Sequence, residues 1–324
     1  KTLKLTKMKE KYAIGIDVGG TNTKFGIVNK KGEILVQDRI KTNEHDNVEE
    51  FIDDLAEKLN PMIEQYGGPE AFVGIGMGAP NANYYQGTIE YAANLKWKGI
   101  IPMAELLEQK FHIPAKLTND ANAAAVGEMQ YGAAKGMKNF ITITLGTGVG
   151  SGIIIDGKIV LGHNGFAGEL GHVIVRNGGR EHKGTGLKGS LEAYASATGV
   201  RDTAIELLQE TQHSPSLLEN YPINELTSET VFKCAEQGDS LANEVFEFTG
   251  QILGEALATF VHFSAPEAIV LFGGLTKAGD LIMKPTRQAM EDNLLQVFKN
   301  KVKILYSDLQ EADAAILGAS ALVW

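Results

Sequence analysis

YAIGIDVGGTNTKFGIV, residues 12–28, sets two runs rich in β-branched and apolar residues on either side of a Gly-Gly-Thr step. Such runs predict strands and the glycines a tight turn, so the stretch is expected to be a hairpin. Residues 139–156, NFITITLGTGVGSGIIID, repeat the arrangement with GTG at the turn. Amphipathic helical stretches accompany these openings, for example NVEEFIDDLAEKLNPMIEQY at 47–66. A chain with two such openings is expected to build two α/β lobes around a cleft.

The length agrees, because 324 residues exceed the roughly 250 to 300 at which single cores stop growing. Between the openings, AFVGIGMGAP at 71–80 predicts a buried strand, and AKLTNDANAAAVGEMQYG at 115–132 a strand followed by a helix. Residues 228–262 predict helix, EAIVLFGGLTKAGD predicts strand and glycine turn, and DAAILGASALVW a final helix. In GFAGELGHVIV, at 165–175, the last residues predict another strand.

A hydrophobic content of 44% and a charged content of 22% are ordinary for a globular chain, and no stretch has the apolar length of a membrane span. A formal net charge of -10 leaves no basic footprint for nucleic acid. Neither membrane nor nucleic acid is expected as a partner. The single cysteine, Cys234, excludes an internal disulfide framework, and without a signal-peptide pattern the expected location is the cytoplasm. KTLKLTK precedes Met8, which is read as a native start, and residues 1–7 receive no role.

Glycine turns let backbone amides approach phosphate oxygens, although one such hairpin alone is equally well a plain turn. DVGGTNTK is neither a Walker loop nor a dinucleotide fingerprint, because it joins two strands. Taken in order, GIDVGGTNTKFGIV, NDANAAAVGE, LGTGVGSGIIIDG, GFAGELGH and IVLFGGL resemble the motifs of the ROK family of sugar kinases, from about Lys11 to the end of the chain. The resemblance implies an α/β, two-lobed actin-like ATPase (ribonuclease H-like) fold with a central cleft. A smaller lobe is expected over 8–118, completed by the C-terminal helix 311–324, and a larger one over 119–310. ROK repressors carry a helix-turn-helix domain ahead of this region; only ten residues precede Lys11, which favours the kinase branch.

Asp120 stands where a helix begins, and the helix dipole there favours an ionised carboxylate. Capping by Asn119 or Asp120 is the simpler reading of either residue alone. The resemblance makes Asp120 the catalytic base for a sugar 6-hydroxyl. It also implies hydroxyl contacts from Asn94, Asn119, Glu169, His172 and Glu192, and ATP contacts from Asp17, Gly19, Gly20, Thr21, Lys24, Gly146, Thr147, Gly148, Gly273 and Gly274. Lys24 reads equally as an exposed charge on a strand. ATP and Mg²⁺ are the implied cofactors, with Asp17 near the metal through water. A homodimer is implied by resemblance alone.

Many relatives follow GEIGH with C-x-C-G-x-x-G-C-x-E, three cysteines that hold a structural zinc together with the histidine. Here the corresponding stretch is KGTGLKGSLE, at 183–192, with Lys183, Thr185 and Ser190 in the cysteine positions. No zinc is expected, because ammonium and hydroxyl groups do not replace soft thiolates. A residual site from His172, His182 and Glu181 is disfavoured against a hydrogen-bonded loop, expected to be more mobile than its zinc-bound counterparts. GAPNANYYQG, at 78–87, departs from the relatives' proline–glycine pattern, so Asn81, Asn83, Tyr84 and Tyr85 point to a substrate difference. Trp97, Cys234 and His262 are read as structural. The expected activity is a hexose kinase, glucokinase above all. Alternatives are an N-acetylhexosamine kinase or fructokinase, or a non-catalytic sugar sensor.

Overall fold

The computed structural model describes residues 10–210 and 214–324; Met8 and residues 1–7 lie outside the described residues. In chain order the strands are β1 (Tyr12–Val18), β2 (Asn22–Asn29), β3 (Ile34–Lys41), β4 (Phe72–Gly78), β5 (Ala82–Asn83), β6 (Thr88–Glu90), β7 (Ile100–Ile101), β8 (Ala115–Thr118), β9 (Phe140–Leu145), β10 (Val149–Ile155), β11 (Lys158–Ile159), β12 (Ala268–Phe272) and β13 (Lys303–Tyr306). The helices are α1 (Val48–Gln65), α2 (Met103–Phe111), α3 (Asp120–Tyr131), α4 (Glu192–Ala195), α5 (Ala197–Gln209), α6 (Ser228–Glu236), α7 (Ser240–Ser264), α8 (Asp280–Asp292) and α9 (Glu311–Ala321).

One topology occurs twice. The first sheet runs β3-β2-β1-β4-β8, with β1, β2 and β3 antiparallel and β4 and β8 parallel to β1. The second runs β11-β10-β9-β12-β13, with β9 and β10 antiparallel and β12 and β13 parallel to β9. In each sheet the hairpin opened by the central strand pairs register to register, Val18 with Thr23 and Leu145 with Val149. Both turns therefore stand at the carboxyl end of a central strand, the edge where open α/β sheets bind ligands.

The chain divides into two compact units. The first comprises residues up to Gly136, Ile159–Ala167 and Asp308–Trp324; the second comprises Met137–Lys158 and Gly168–Ser307. The boundary after the first long segment thus falls beyond α3, whereas the sequence reading drew it at 118/119.

The reason lies in close packing between α9 and the rest of its unit. A Cβ on Gly15 would overlap the carbonyl oxygen of Ile316, and one on Gly76 that of Ala319, so the glycines of β1 and β4 let α9 lie directly on the sheet. Gly127 of α3 and Gly318 of α9 are pressed together in the same way, which ties α3 to the first sheet. On the other face, α1 is capped by Asn47, whose side chain accepts from the Glu50 N–H at 2.9 Å. It buries Phe51, Leu55, Leu59 and Ile63 at helical spacing against Ile14, Ile16 and Met77. Burying a phenylalanine such as Phe51 completely is worth about 1.5–3 kcal/mol.

One expected strand is missing. Ile174 makes a single antiparallel bridge with Ser190 and is 68% exposed. The N–H groups of Val175 and Arg176 both converge on the Gly189 carbonyl, which bends the chain instead of extending it.

Candidate active site

In the first unit, the Gly19–Thr21 turn is tied down by the Gly19 N–H donating to the Asn22 carbonyl at 3.0 Å and the Thr42 N–H to that of Thr21 at 2.8 Å. Behind it, the buried hydroxyls of Thr23 and Thr42 bond at 2.7 Å. A Cβ on Gly20 would come within 3.0 Å of the Asn94 carbonyl oxygen, so Asn94 stands beside the turn. Asp17 pairs across the hairpin with Lys24. Burial, and then the charge of Asp120, push the Asp17 carboxyl up to about 6, while Lys24 opposes the rise. Asp17 and Asp120 therefore share one electrostatic environment, although they stand 103 positions apart in sequence.

The capping question is resolved by geometry. Asn119 is the N-cap of α3, its side-chain oxygen accepting from the Asn122 N–H at 2.7 Å. Asp120 occupies the first helical position, exposed, with one carboxylate oxygen accepting from the Ala121 N–H at 3.0 Å. With Asn119 taking the capping bond, the Asp120 carboxylate keeps acceptor capacity to spare.

In the second unit, the Gly146 N–H donates to the Gly148 carbonyl at 3.0 Å, closing the turn, and the Ala197 N–H holds the Gly146 carbonyl at 2.8 Å. Thr147 projects into solvent while its carbonyl accepts from the Thr198 hydroxyl at 3.3 Å. Glu192, at the start of α4, reaches this hairpin: its Oε2 accepts from the Val149 N–H at 2.8 Å. A Cβ on Gly148 would overlap that same oxygen, so only glycine admits the carboxylate here. Glu169 and His172 lie on the segment following Gly168, which Ser151 pins by a hydrogen bond from its hydroxyl to the Gly168 carbonyl. The His172 Nε2 stands 3.8 Å from Glu169, and its Nδ1 is buried with no partner. At the end of β12, Gly273 has φ 103 and no room for a Cβ against Leu145, whereas Gly274 faces open space.

The ROK family profile matches residues 13–324, almost the whole described chain. The chain belongs to the ROK family. Among ROK relatives, a glucokinase of Halalkalibacterium halodurans is 36% identical over 318 residues, 98% of this chain and 96% of that protein. A glucokinase of Thermotoga maritima is 31% identical over 311 residues, 96% of each chain. The crystal structure of a ROK family glucokinase from Streptomyces griseus in complex with glucose and AMPPNP superposes with a TM-score of 0.74 at 30% identity, over 96% of this chain and 99% of that one. The fold is accordingly the actin-like ATPase fold of ROK sugar kinases, and the doubled sheet topology described above is its structural basis.

The ROK zinc knuckle does not fit the residues of this chain. Lys183 and Thr185 are exposed, Ser190 is buried with its hydroxyl oxygen facing the Ala193 N–H, and none supplies a thiolate. Among the described residues no group of three or more His, Cys, Asp or Glu side chains is placed to hold a metal. His182 and Glu181 have other partners, Glu192 and Lys188.

What orders the loop instead is Arg180, a residue that sequence reasoning passed over. Its guanidinium donates to the carbonyls of Ala193 at 2.7 Å and Gly199 at 3.2 Å and to the Thr203 hydroxyl at 2.9 Å. It also holds Glu206 at 2.6 Å and stacks 4.6 Å over the Tyr194 ring, whose hydroxyl accepts the Arg180 N–H. Arginine's planar fork suits this many partners, but nothing local in GREHKGTGLKGSLE distinguishes it from a solvent-facing charge.

The departure at 78–87 is largely structural. Asn83 is buried; its amide donates to Glu90 and to the Asn164 carbonyl, and its oxygen accepts from Tyr85 and Gln86. Asn81 adopts φ 52 and donates to the Glu90 carbonyl, and the Tyr85 hydroxyl donates to the Gly162 carbonyl. These asparagines are occupied in shaping the loop. Trp97 packs against Phe51 with ring centres 4.5 Å apart, and Cys234 is buried, which pushes its thiol up.

Proposed function

We propose that this protein is an ATP-dependent hexose kinase, a glucokinase that transfers the γ-phosphoryl group of ATP to the 6-hydroxyl of glucose. The observation that carries the reading is the division of work at the start of α3, where Asn119 caps the helix and leaves the Asp120 carboxylate exposed as a proton acceptor. Full-length similarity to glucokinases, one of them holding glucose and an ATP analogue, supports the same reading.

In this reaction Asp120 accepts the 6-hydroxyl proton as the sugar oxygen bonds to the γ-phosphorus, the bond from that phosphorus to the β–γ bridging oxygen breaks, and ADP leaves. Such transfer depends on positioning and on neutralising charge. Positioning falls to Asn94, Asn119, Glu169, His172 and Glu192, whose polar groups match the hydroxyls of a sugar ring. Phosphate binding falls to the amides of Gly20, Thr21, Thr147 and Gly148 and the hydroxyls of Thr21 and Thr147, with Gly19 and Gly146 closing the two turns through their own N–H groups and Lys24 close to the first turn. By resemblance Gly273 and Gly274 would line the adenosine, and the open space at Gly274 suits that role.

By resemblance Asp17 would hold Mg²⁺ through water, where the cation's charge would offset the repulsion between its carboxylate and that of Asp120. Mg²⁺ brought with ATP supplies neutralisation of phosphate charge. Family resemblance supports a homodimer; the single cysteine supports the cytoplasm, and Lys183, Thr185 and Ser190 in the cysteine positions support a loop without zinc. Among the described residues no helix is long and apolar enough to cross a membrane.

ADP release from MgATP across glucose, mannose, fructose, N-acetylglucosamine and N-acetylmannosamine tests the proposal. Turnover greatest on glucose is the expected result. Sugar binding without turnover on any of the five would replace the kinase by a sensor.

A further inference from the structure

We propose that His182 is a positioning residue that sets Glu192 for sugar recognition, held in turn by Thr185. The proposal rests on the kinase reading above, in which Glu192 receives sugar hydroxyls. The two residues are ten apart in sequence, on opposite limbs of the 179–192 loop, and the loop's turn brings them together. The His182 Nε2 lies 3.0 Å from Glu192 Oε1, and both side chains are mostly buried, 21% and 13% exposed. On the far side of the ring, Nδ1 lies 3.1 Å from the Thr185 hydroxyl.

An ionised carboxylate only accepts hydrogen bonds, so the proton of a neutral His182 must sit on Nε2, and Thr185 then donates to Nδ1. The imidazole is fixed by its own backbone: the His182 N–H donates to the Leu187 carbonyl at 2.8 Å, and its carbonyl accepts from Gly186 at 2.8 Å and Thr185 at 3.2 Å. With Val149 holding the other oxygen at 2.8 Å, Glu192 is clamped at both ends. Two bonds use about half of a carboxylate's acceptor capacity, and the lone pairs that remain are directed by the clamp. The polar loop quoted in the sequence thus has a purpose that needs no metal. It carries a histidine and a threonine that aim a carboxylate.

The test combines steady-state kinetics with glucose binding by calorimetry for the wild type, His182→Ala, His182→Gln, Thr185→Val, Glu192→Gln and the His182→Ala/Glu192→Gln double variant. Losing a hydrogen bond to a charged group is expected to raise the glucose KM and Kd of His182→Ala about 10-fold to 100-fold, with the ATP KM unchanged. Glutamine, whose amide N–H reaches the Nε2 position, should restore most of the loss. Thr185→Val should give a smaller rise of the same kind, and serves as the readout if His182→Ala does not fold. In the Glu192→Gln background the alanine substitution should add little, because the two residues act as one unit. Wild-type glucose affinity in folded His182→Ala or, failing that variant, in Thr185→Val would overturn the proposal, as would a full additive effect in the double variant. Absence of both glucose binding and turnover in the wild type would instead defeat the kinase reading.

Discussion

Replacing Asp17 by asparagine should stabilise the first unit at neutral pH and leave it unaltered in acid. The Asp17 carboxyl sits at about 6 in the folded protein against 3.8 unperturbed, raised chiefly by burial and then by the charge of Asp120. A carboxyl raised on folding contributes stability that is fully present below about pH 4 and is lost as pH climbs through 6, because the unfolded chain ionises more readily. A separation of about two pH units at about 1.4 kcal/mol each is worth about 3 kcal/mol, trimmed toward about 2 kcal/mol because part of the side chain meets solvent. Asparagine keeps the shape and removes the ionisation. Urea unfolding followed by tryptophan fluorescence suits the measurement, since Trp97 and Trp324 both belong to the first unit. The gain for Asp17→Asn should be about 2–3 kcal/mol at pH 7.5, fall through pH 6 and vanish near pH 4. A gain independent of pH, or a loss at pH 7.5, would refute the electrostatic account. Asp120→Asn should shrink the same pH dependence by removing the neighbouring charge.

Other substitutions probe separate parts of the molecule. Asp120→Asn should lower kcat on glucose by about 10²–10⁴-fold with sugar binding retained, measured by single-turnover kinetics and calorimetry. Gly76→Ala should cost about 3 kcal/mol of first-unit stability, because its Cβ would meet the Ala319 carbonyl and lift α9 from the sheet. Arg180→Ala should cost about 2–4 kcal/mol in thermal or urea unfolding, since the Ala193 and Gly199 carbonyls lose their partner, and it should speed amide exchange over 179–192. Purified protein should contain zinc well below one atom per chain by elemental analysis, and chelation should leave its unfolding midpoint unmoved.

Both glycine hairpins and the longer amphipathic helices were legible because they depend on short-range periodicity. Apolar runs broken by glycine set both hairpins, and Asn47 ahead of an amphipathic stretch set α1. The candidate site residues were named by their match to the ROK motifs, because a glycine turn or a carboxylate at a helix start is by itself equally well structural. VIV at 173–175 shows where this reasoning stops. The run has strand propensity, but strands need a neighbour to pair with, and both available amides turn to one carbonyl at Gly189.

What the sequence by itself determined, then, is the two glycine hairpins, the helices at 47–66, after Asn119, over 228–262 and at the C-terminus, and the kinds of group at their ends. Tertiary structure alone decided which of two adjacent residues caps α3, that Gly15 and Gly76 serve a helix some 240 residues or more further along, and that Arg180 holds a loop. It also decided that His182 grips Glu192. Propensity and capping act over a few residues and are written in local order. A carboxylate held by a loop histidine, a helix lying on bare glycine or a carboxyl raised by burial exists only when distant segments meet, and the energy of each depends on burial that no single segment possesses.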